Sequence, residues 1–325
     1  MKKKTKQFLK RSIFYDIYMW LCCQEGKKFP IFKVKRKFKK RYGQKPNLNN
    51  PQTFPEKMNW LKLFYYPNDP LAIQAGDKWG LHTFLKARDL SQLAAPILHV
   101  YDSVEEIQWE SLPEKFVIKK SNASNFNLII TNKKKANEKK VKRRVNRWMK
   151  TPFGYMTGEY HYEKMQPKII IEKFIENIGK EWRIFCINGN PELLQVLHIV
   201  SEYHTNASVG FLGHIEPEYT HIDLDGKILE VHHRDDVENV EKKRSIGETL
   251  ELPHDFPQML EFATVLAKDF PFVRVDFFHA DGKLILGELT FTPGNGFSIL
   301  GESIYGRLNA KLILPNNIIK EARKK

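Results

Sequence analysis

Residues 272–297 read FVRVDFFHADGKLILGELTFTPGNGF. Two runs of β-prone residues flank Asp281-Gly282, a dipeptide suited to a two-residue hairpin turn, so the stretch predicts a pair of antiparallel strands. Alternation puts Arg274 and Asp276 on one face of the first strand, and Glu288 and Thr290 on one face of the second. Pairing through the turn brings the two carboxylates toward one spot. Carboxylates with a nearby hydroxyl suit a hard cation, and magnesium held this way accompanies nucleotide phosphates. Arg274 beside them suits a developing oxyanion. The same residues also suit a surface ion-pair ladder in which Arg274 offsets the acids. The two readings differ in what removing an acid does: it relieves repulsion around a cation site, but strands Arg274 in a ladder.

Upstream, PKIIIEKFI (167–175), KEWRIFCING (180–189), ELLQVLHIV (192–200) and YTHIDLDGKILEV (219–231) predict further strands, with Asn188-Gly189 and Asp225-Gly226 as turns. The helix FPQMLEFATVLAKDF (256–270) precedes the last pair. In the first half, AAPILHVYDS (94–103) and PEKFVIKKS (113–121) predict strands, and TFPEKMNWLKLF (53–64) a helix with Thr53 as N-cap and Glu56 three residues on. A second helix is expected over LAIQAGDKWGLHTFLKAR (71–88) and a third over NEKKVKRRVNRWMKT (137–151), with Val141, Val145 and Trp148 on its buried side and a solvated basic remainder. The sum is an α+β body with a mostly antiparallel second half.

The link KKSNASNFNLII (119–130) has the shape of a phosphate loop without glycine. Such a cradle needs backbone N–H groups aimed at the ligand with little side-chain bulk between them. Ser121, Asn122, Ala123 and Ser124 are small, and Asn tolerates the left-handed backbone that glycine supplies. Asn125 and Phe126 add bulk that would stiffen the loop or crowd a phosphate.

Charge is concentrated at one end of the chain. Residues 1–45 hold 16 Lys/Arg against Asp16 and Glu25, leaving 37 basic and 36 acidic groups in the other 280 residues. A nearly neutral body argues against a nucleic-acid-binding surface. Within the basic segment, FLKRSIFYDIYMWLCC (8–23) spaces Leu9, Ile13, Ile17 and Leu21 as an amphipathic helix, too short and too interrupted by Asp16 to span a bilayer. It either lies on an anionic membrane surface or docks on the body with a solvated lysine face. Three cysteines, Cys22, Cys23 and Cys186, give neither a disulfide framework nor zinc spacing, and fit a reducing cytoplasm. Cys22-Cys23 reads as buried thiols on a helix face, with lipidation as the alternative. His198, His204, His214 and His221 lack metal spacing and read as scattered surface residues, with a substrate-facing loop as the alternative. Asp223-Leu224-Asp225 matches an Asp-x-Asp metal pattern of sugar-nucleotide transferases, but runs into Gly226 as a hairpin turn would.

Taken in order, FVIKK, IIIEKFI, EWRIFCING and the 272–297 stretch resemble the successive nucleotide and metal elements of the ATP-grasp superfamily. NPQTFPEKMNWLKL (50–63) and GELTFTPGNGF (287–297) resemble its TupA-like branch, associated with bacterial surface-polysaccharide and teichuronopeptide synthesis. The resemblance covers roughly residues 46–305 and implies two α+β subdomains clamping ATP, with boundaries expected at 1–45 for the basic arm, 46–115 for a preceding domain, 116–167 for the small subdomain and 168–325 for the large one. It implies Lys119 as the phosphate lysine, followed by the cradle at Ser121, Asn122, Ala123 and Ser124. Glu172, Lys173, Phe174 and Ile175 become the adenine hinge and Glu181 the ribose contact. Asp276, Glu288 and Thr290 become Mg2+ ligands, and Arg274 faces the acyl phosphate. Thr290 stands where many members have an amide ligand. Asp77-Lys78 resembles an element that approaches the active site. The implied reaction joins an amino acid or peptide to a uronic-acid or amino-sugar unit of a polysaccharide precursor, at the inner face of a membrane reached through residues 1–45. A glycosyltransferase using Asp223 and Asp225, and a non-catalytic nucleotide-binding protein, are the alternatives.

Overall fold

The structure, a computed structural model, describes residues 13–176, 178, 180–198, 209–210, 219–232, 245–298 and 300–315. Two antiparallel sheets carry the architecture. The smaller has the order β1-β4-β2-β3-β7, built from β1 (Ile97–Tyr101), β2 (Phe116–Lys120), β3 (Asn127–Ile130), β4 (Ile169–Lys173) and β7 (Val209–Gly210). The larger has the order β11-β10-β5-β6-β8-β9, from β5 (Lys180–Ile187), β6 (Asn190–His198), β8 (Tyr219–Ile222), β9 (Ile228–His232), β10 (Phe272–Ala280) and β11 (Lys283–Thr290). β1 and β4 sit side by side in the small sheet, so that sheet draws on chain beyond both expected boundaries, 115/116 and 167/168.

The turns form as the dipeptides predict. Asn188 and Gly189 have φ of 48° and 83°, and Asp281 and Gly282 have 50° and 73°, the left-handed backbone that such residues adopt at least cost. Helices cover the sheets by their apolar faces. In α6 (Glu138–Met149), Val141, Val145 and Trp148 are buried against the small sheet's core. α8 (Phe256–Ala267) buries Met259, Ala263 and Leu266 in the large core.

α3 (Phe54–Trp60) opens with the expected capping box: Thr53 Oγ1 accepts from Glu56 N–H while the Glu56 carboxylate accepts from Thr53 N–H. The single helix expected over 71–88 is instead two, α4 (Pro70–Gly76) and α5 (Gly80–Lys86). Asp77 is extended at φ −85°, ψ 127°, and its Oδ2 accepts from Gly80 N–H at 2.8 Å. A Cβ at position 80 would lie 2.4 Å from the Gln74 carbonyl oxygen, so the corner needs glycine there. The break takes Lys78 off the helix.

The basic segment docks on the body while keeping an apolar face outward. α1 (Ile13–Lys28) buries Cys23 and Gly26 against α7 (Phe153–Thr157). A Cβ at Gly26 would sit 2.0 Å from Tyr155 O. α2 (Pro30–Tyr42) buries Val34 and Phe38. Lys33 Nζ donates to Cys22 O and Tyr155 O, and Lys37 Nζ to Thr157 O, so these lysines are structural. Arg41 Nε donates to Phe297 O at 3.1 Å and Tyr42 Oη to Ser298 O at 2.8 Å, so the arm reaches both subdomains.

Candidate active site

The β10–β11 register places Asp276 directly opposite Glu288, as alternation predicts. The register shifts between Asp276 and Phe277, where Gly287 takes up the extra position; a Cβ there would come within 3.3 Å of Asp276 O. Thr290 Oγ1 donates to Glu288 Oε1 at 2.7 Å and lies 3.5 Å from Asp276 Oδ2, so three oxygen-bearing side chains converge. Arg274 joins them: its Nε and Nη2 donate to the two Asp276 oxygens at 2.7 and 2.5 Å, and Nη2 is 3.6 Å from Glu288 Oε1. Asp276 is fully buried and Glu288 sits at the cleft, its side chain 40% exposed. Burial pushes the Asp276 carboxyl up against the pull of Arg274. Crowding works to raise Glu288 as well, but Lys78, Arg274 and Thr290 outweigh it and hold that carboxyl at about 2.

The register continues this row across the whole large sheet. Asp276 pairs with Arg183, Arg183 with Gln195, Gln195 with His221 and His221 with Glu230. Arg183 Nη2 donates to Glu181 Oε2 at 3.1 Å and Nη1 to Gln195 Oε1 at 3.3 Å, while Gln195 Nε2 lies 3.1 Å from His221 Nε2. His221 is therefore not a surface residue but a buried member of a polar row, held there by its place in β8. His204 and His214 lie outside the described residues, as does the side chain of His198.

Across the cleft, Lys119 Nζ pairs with Glu172 Oε2 at 2.5 Å, uniting two of the expected nucleotide contacts from neighbouring strands. Lys173 is exposed and its N–H donates to Pro96 O; Phe174 and Ile175 follow half-buried, with Lys115 Nζ 5.9 Å from the Phe174 ring. Lys78 bridges the two groups. Its Nζ donates to Ala123 O at 2.6 Å, and burial lowers its pKa against the opposing pull of Glu288, Asp77 and Glu172.

The loop after β2 is tied into the fold by its side chains. Ser121 Oγ accepts from Lys168 N–H, and Asn122 Nδ2 donates to Tyr162 O at 3.0 Å. Ser124 is half-buried, and Asn125 takes φ 62°, the backbone a glycine would otherwise supply. No protein acceptor takes the N–H groups of Asn122, Ala123, Ser124 or Asn125 among the described residues. The expected crowding by Phe126 does not arise, because its ring turns into the small core, edge-on to Trp148 at 5.6 Å and Phe153 at 5.5 Å. Lys120, which sequence reasoning passed over, is buried and donates to Thr151 O at 2.7 Å, with its pKa lowered by burial to about 8. Arg183 was also missed; its signal was the period-two spacing from Glu181 in EWRIFCI.

The oxygen set fits magnesium in kind, two carboxylates and a hydroxyl on paired strands. Among the described residues no cluster of three or more His, Cys, Asp or Glu side chains is suited to a metal, so the ion's remaining ligands would be phosphate and water oxygens. Asp223 behaves as a turn residue, its Oδ1 accepting from Asp225 N–H and Lys227 N–H.

A family model described as TupA-like ATPgrasp matches residues 56–208 and 217–310. No curated protein matches the chain. Among solved structures, a D-alanine–D-alanine ligase from Bacillus anthracis is 16% identical over 78% of this chain and 70% of that one, with a TM-score of 0.45. An L-amino acid ligase from Bacillus licheniformis is 12% identical over 78% and 52%, at 0.42. The D-alanine–D-alanine ligase from Coxiella burnetii is 15% identical over 84% and 66%, at 0.40.

Proposed function

This chain belongs to the TupA-like ATP-grasp family, and on that premise we propose that it is an ATP- and magnesium-dependent ligase joining an amino acid or peptide to a carboxylate of a bacterial surface-polysaccharide unit. A carboxylate oxygen attacks the γ-phosphorus, releasing ADP and giving an acyl phosphate; the amine then attacks the acyl carbon and phosphate leaves, forming an amide. The observation that carries the reading is the placement of Lys78, whose N–H donates to Ser121 O and whose Nζ donates to Ala123 O at 2.6 Å on the loop after β2, while its charge helps pull down the Glu288 carboxyl of the large sheet. That convergence supports a nucleotide lying between the sheets, with its phosphates toward Lys119, Lys78 and the untaken N–H groups of residues 122–125. Glu172 to Ile175 serve as the adenine hinge and Glu181 as the ribose contact. Asp276, Glu288 and Thr290 would hold the magnesium, which when bound neutralises phosphate charge. Arg274 stabilises the oxyanion of the acyl-transfer step.

Thermal unfolding with Mg-ATP and with UDP-sugars tests this. ATP at a hundred times its Kd should add about 2.7 kcal/mol of stability, a rise of a few degrees in Tm. Stabilisation by UDP-sugars without any by ATP would favour the transferase instead, and binding of ATP without turnover the non-catalytic alternative.

The proposal extends to location. Among the described residues no helix is long and apolar enough to cross a membrane. Ile17, Tyr18, Trp20 and Leu21 fall within roughly 160° of α1's circumference, opposite Cys23 and Gly26, and are 50–60% exposed. Phe29 and Phe32 are exposed as well, as are Lys27, Lys28, Lys35, Lys39 and Lys40 along α1 and α2. Aromatic residues ringed by lysine support seating on an anionic bilayer. Vesicles of phosphatidylcholine with 30 mol% phosphatidylglycerol, a ratio of about one charge in three lipids, should sediment the intact chain. Trp20→Ser/Phe32→Ser should lose that binding at an unchanged Tm. Equal sedimentation of the variant would overturn it.

A further inference from the structure

Next to the β10–β11 site the large sheet bears a cavity of about 250 Å3, lined by Arg274, Gln195, Tyr219, Phe185, Ser298 and Arg41 among others. Most of its polar lining is already neutralised. Arg274 is paired with Asp276, and the Gln195 amide is engaged by Arg183 and His221. Arg41 differs. Its Nε donates to Phe297 O, no carboxylate among the described residues lies within ion-pair distance of it, and its terminal nitrogens have no protein acceptor there. Its backbone is nonetheless fixed, because the neighbouring Tyr42 hydroxyl and that of Tyr305 both donate to Ser298 O, clamping the end of α2 to the loop that follows β11. A guanidinium held by one edge, with its fork left over, is suited to a planar carboxylate or a phosphate. Arg41 lies outside the stretch matched by the family model, residues 56–208 and 217–310.

We propose that the cavity holds the carboxylate-bearing acceptor, with the reacting carboxylate at the end next to β10 and a second anionic group gripped by Arg41. The substrate class is thus a small molecule with two anionic groups, of the size of one sugar or amino acid, and the inference rests on the ligase reading. A carboxylate and a phosphate at the second position share the same chemistry.

Isothermal titration of the full chain, with magnesium and a non-hydrolysable ATP analogue bound, tests it with four probes: D-glucarate, D-glucuronate 1-phosphate, D-glucuronate and D-glucose. At least one of the first two probes, each of which carries a second anionic group, should bind about 10- to 100-fold more tightly than glucuronate, the gain expected of one charge-assisted fork. Which of the two does so identifies the second group as carboxylate or phosphate. Arg41→Gln should erase that advantage while leaving affinity for glucuronate and the nucleotide within about twofold, and Arg41→Lys, which keeps the charge but not the fork, should fall between. The first two probes binding no better than glucuronate, absence of binding by all four probes, or an advantage surviving Arg41→Gln would each overturn the inference while leaving the nucleotide site standing. Failure of the ATP analogue to bind would instead remove the ligase reading, and the inference with it.

Discussion

Glu288→Gln should lower Mg-ATP turnover by about 100- to 1,000-fold, the loss of several kcal/mol of phosphate-charge stabilisation, while changing metal-free stability by no more than about 2 kcal/mol. The side chain is 40% exposed, and Arg274, 3.6 Å away, keeps Asp276 as its partner when the charge at 288 is removed. Asp276→Asn should lose turnover too, but at a cost to the fold. It leaves a buried Arg274 without its carboxylate, a change that typically costs about 3–5 kcal/mol. On the proposed reading the cation site and the ion-pair ladder are therefore not rivals, since the same Asp276 would serve both. Only Glu288 separates them. Turnover by Glu288→Gln at the wild-type rate would remove the metal site, and with it the ligase assignment.

Lowering the pH from 7 to 5 should cost about 2 kcal/mol of folding stability through His161 alone. The ring is 1% exposed, 4.3 Å from the Tyr162 ring centre and 6.2 Å from those of Tyr66 and Phe291. Burial, then the charge of Lys62, pushes its pKa down to about 3. An unfolded histidine takes up a proton as pH falls through about 6.5, while the folded one refuses it until about 3. The stabilisation is present in full above 6.5 and is lost as pH falls toward 3. His161→Phe keeps an aromatic ring in the cage and removes the titration; Lys62 and the buried Glu159 remain in both proteins. Urea denaturation at the two pH values should show wild type losing about 2 kcal/mol more than the variant. Parallel losses would mean that His161 is charged in the fold.

The parts of the site that one local pattern fixes were legible in the sequence. The Asp281-Gly282 turn sets the register of β10 against β11, and with it the opposition of Asp276 and Glu288. What depends on the pairing of distant strands was not legible: Gln195, His221 and Glu230 join the row only because β6, β8 and β9 stack outward from β5 in register. The break at Asp77 was hidden by a helical pattern strong on both sides, although Gly76 and Gly80 mark where the corner turns. The orientation of Phe126 was there to be read. It lies two and four residues before the buried Leu128 and Ile130, on the inward face of the same strand direction.

The clasp between Arg41 or Tyr42 and the Phe297–Ser298 carbonyls spans 256 positions of sequence. At ribosomal rates of roughly 5–20 residues per second, the acceptors emerge about 13 to 50 seconds after their donors. Until Tyr155 and Thr157 emerge, 122 and 120 positions behind Lys33 and Lys37, the helices of the arm have neither seat, and Cys23, Val34 and Phe38 stay open to water. Seated in full only when residues 297 and 298 emerge, this stretch waits longer in reach of chaperones than helices whose partners lie close by in sequence.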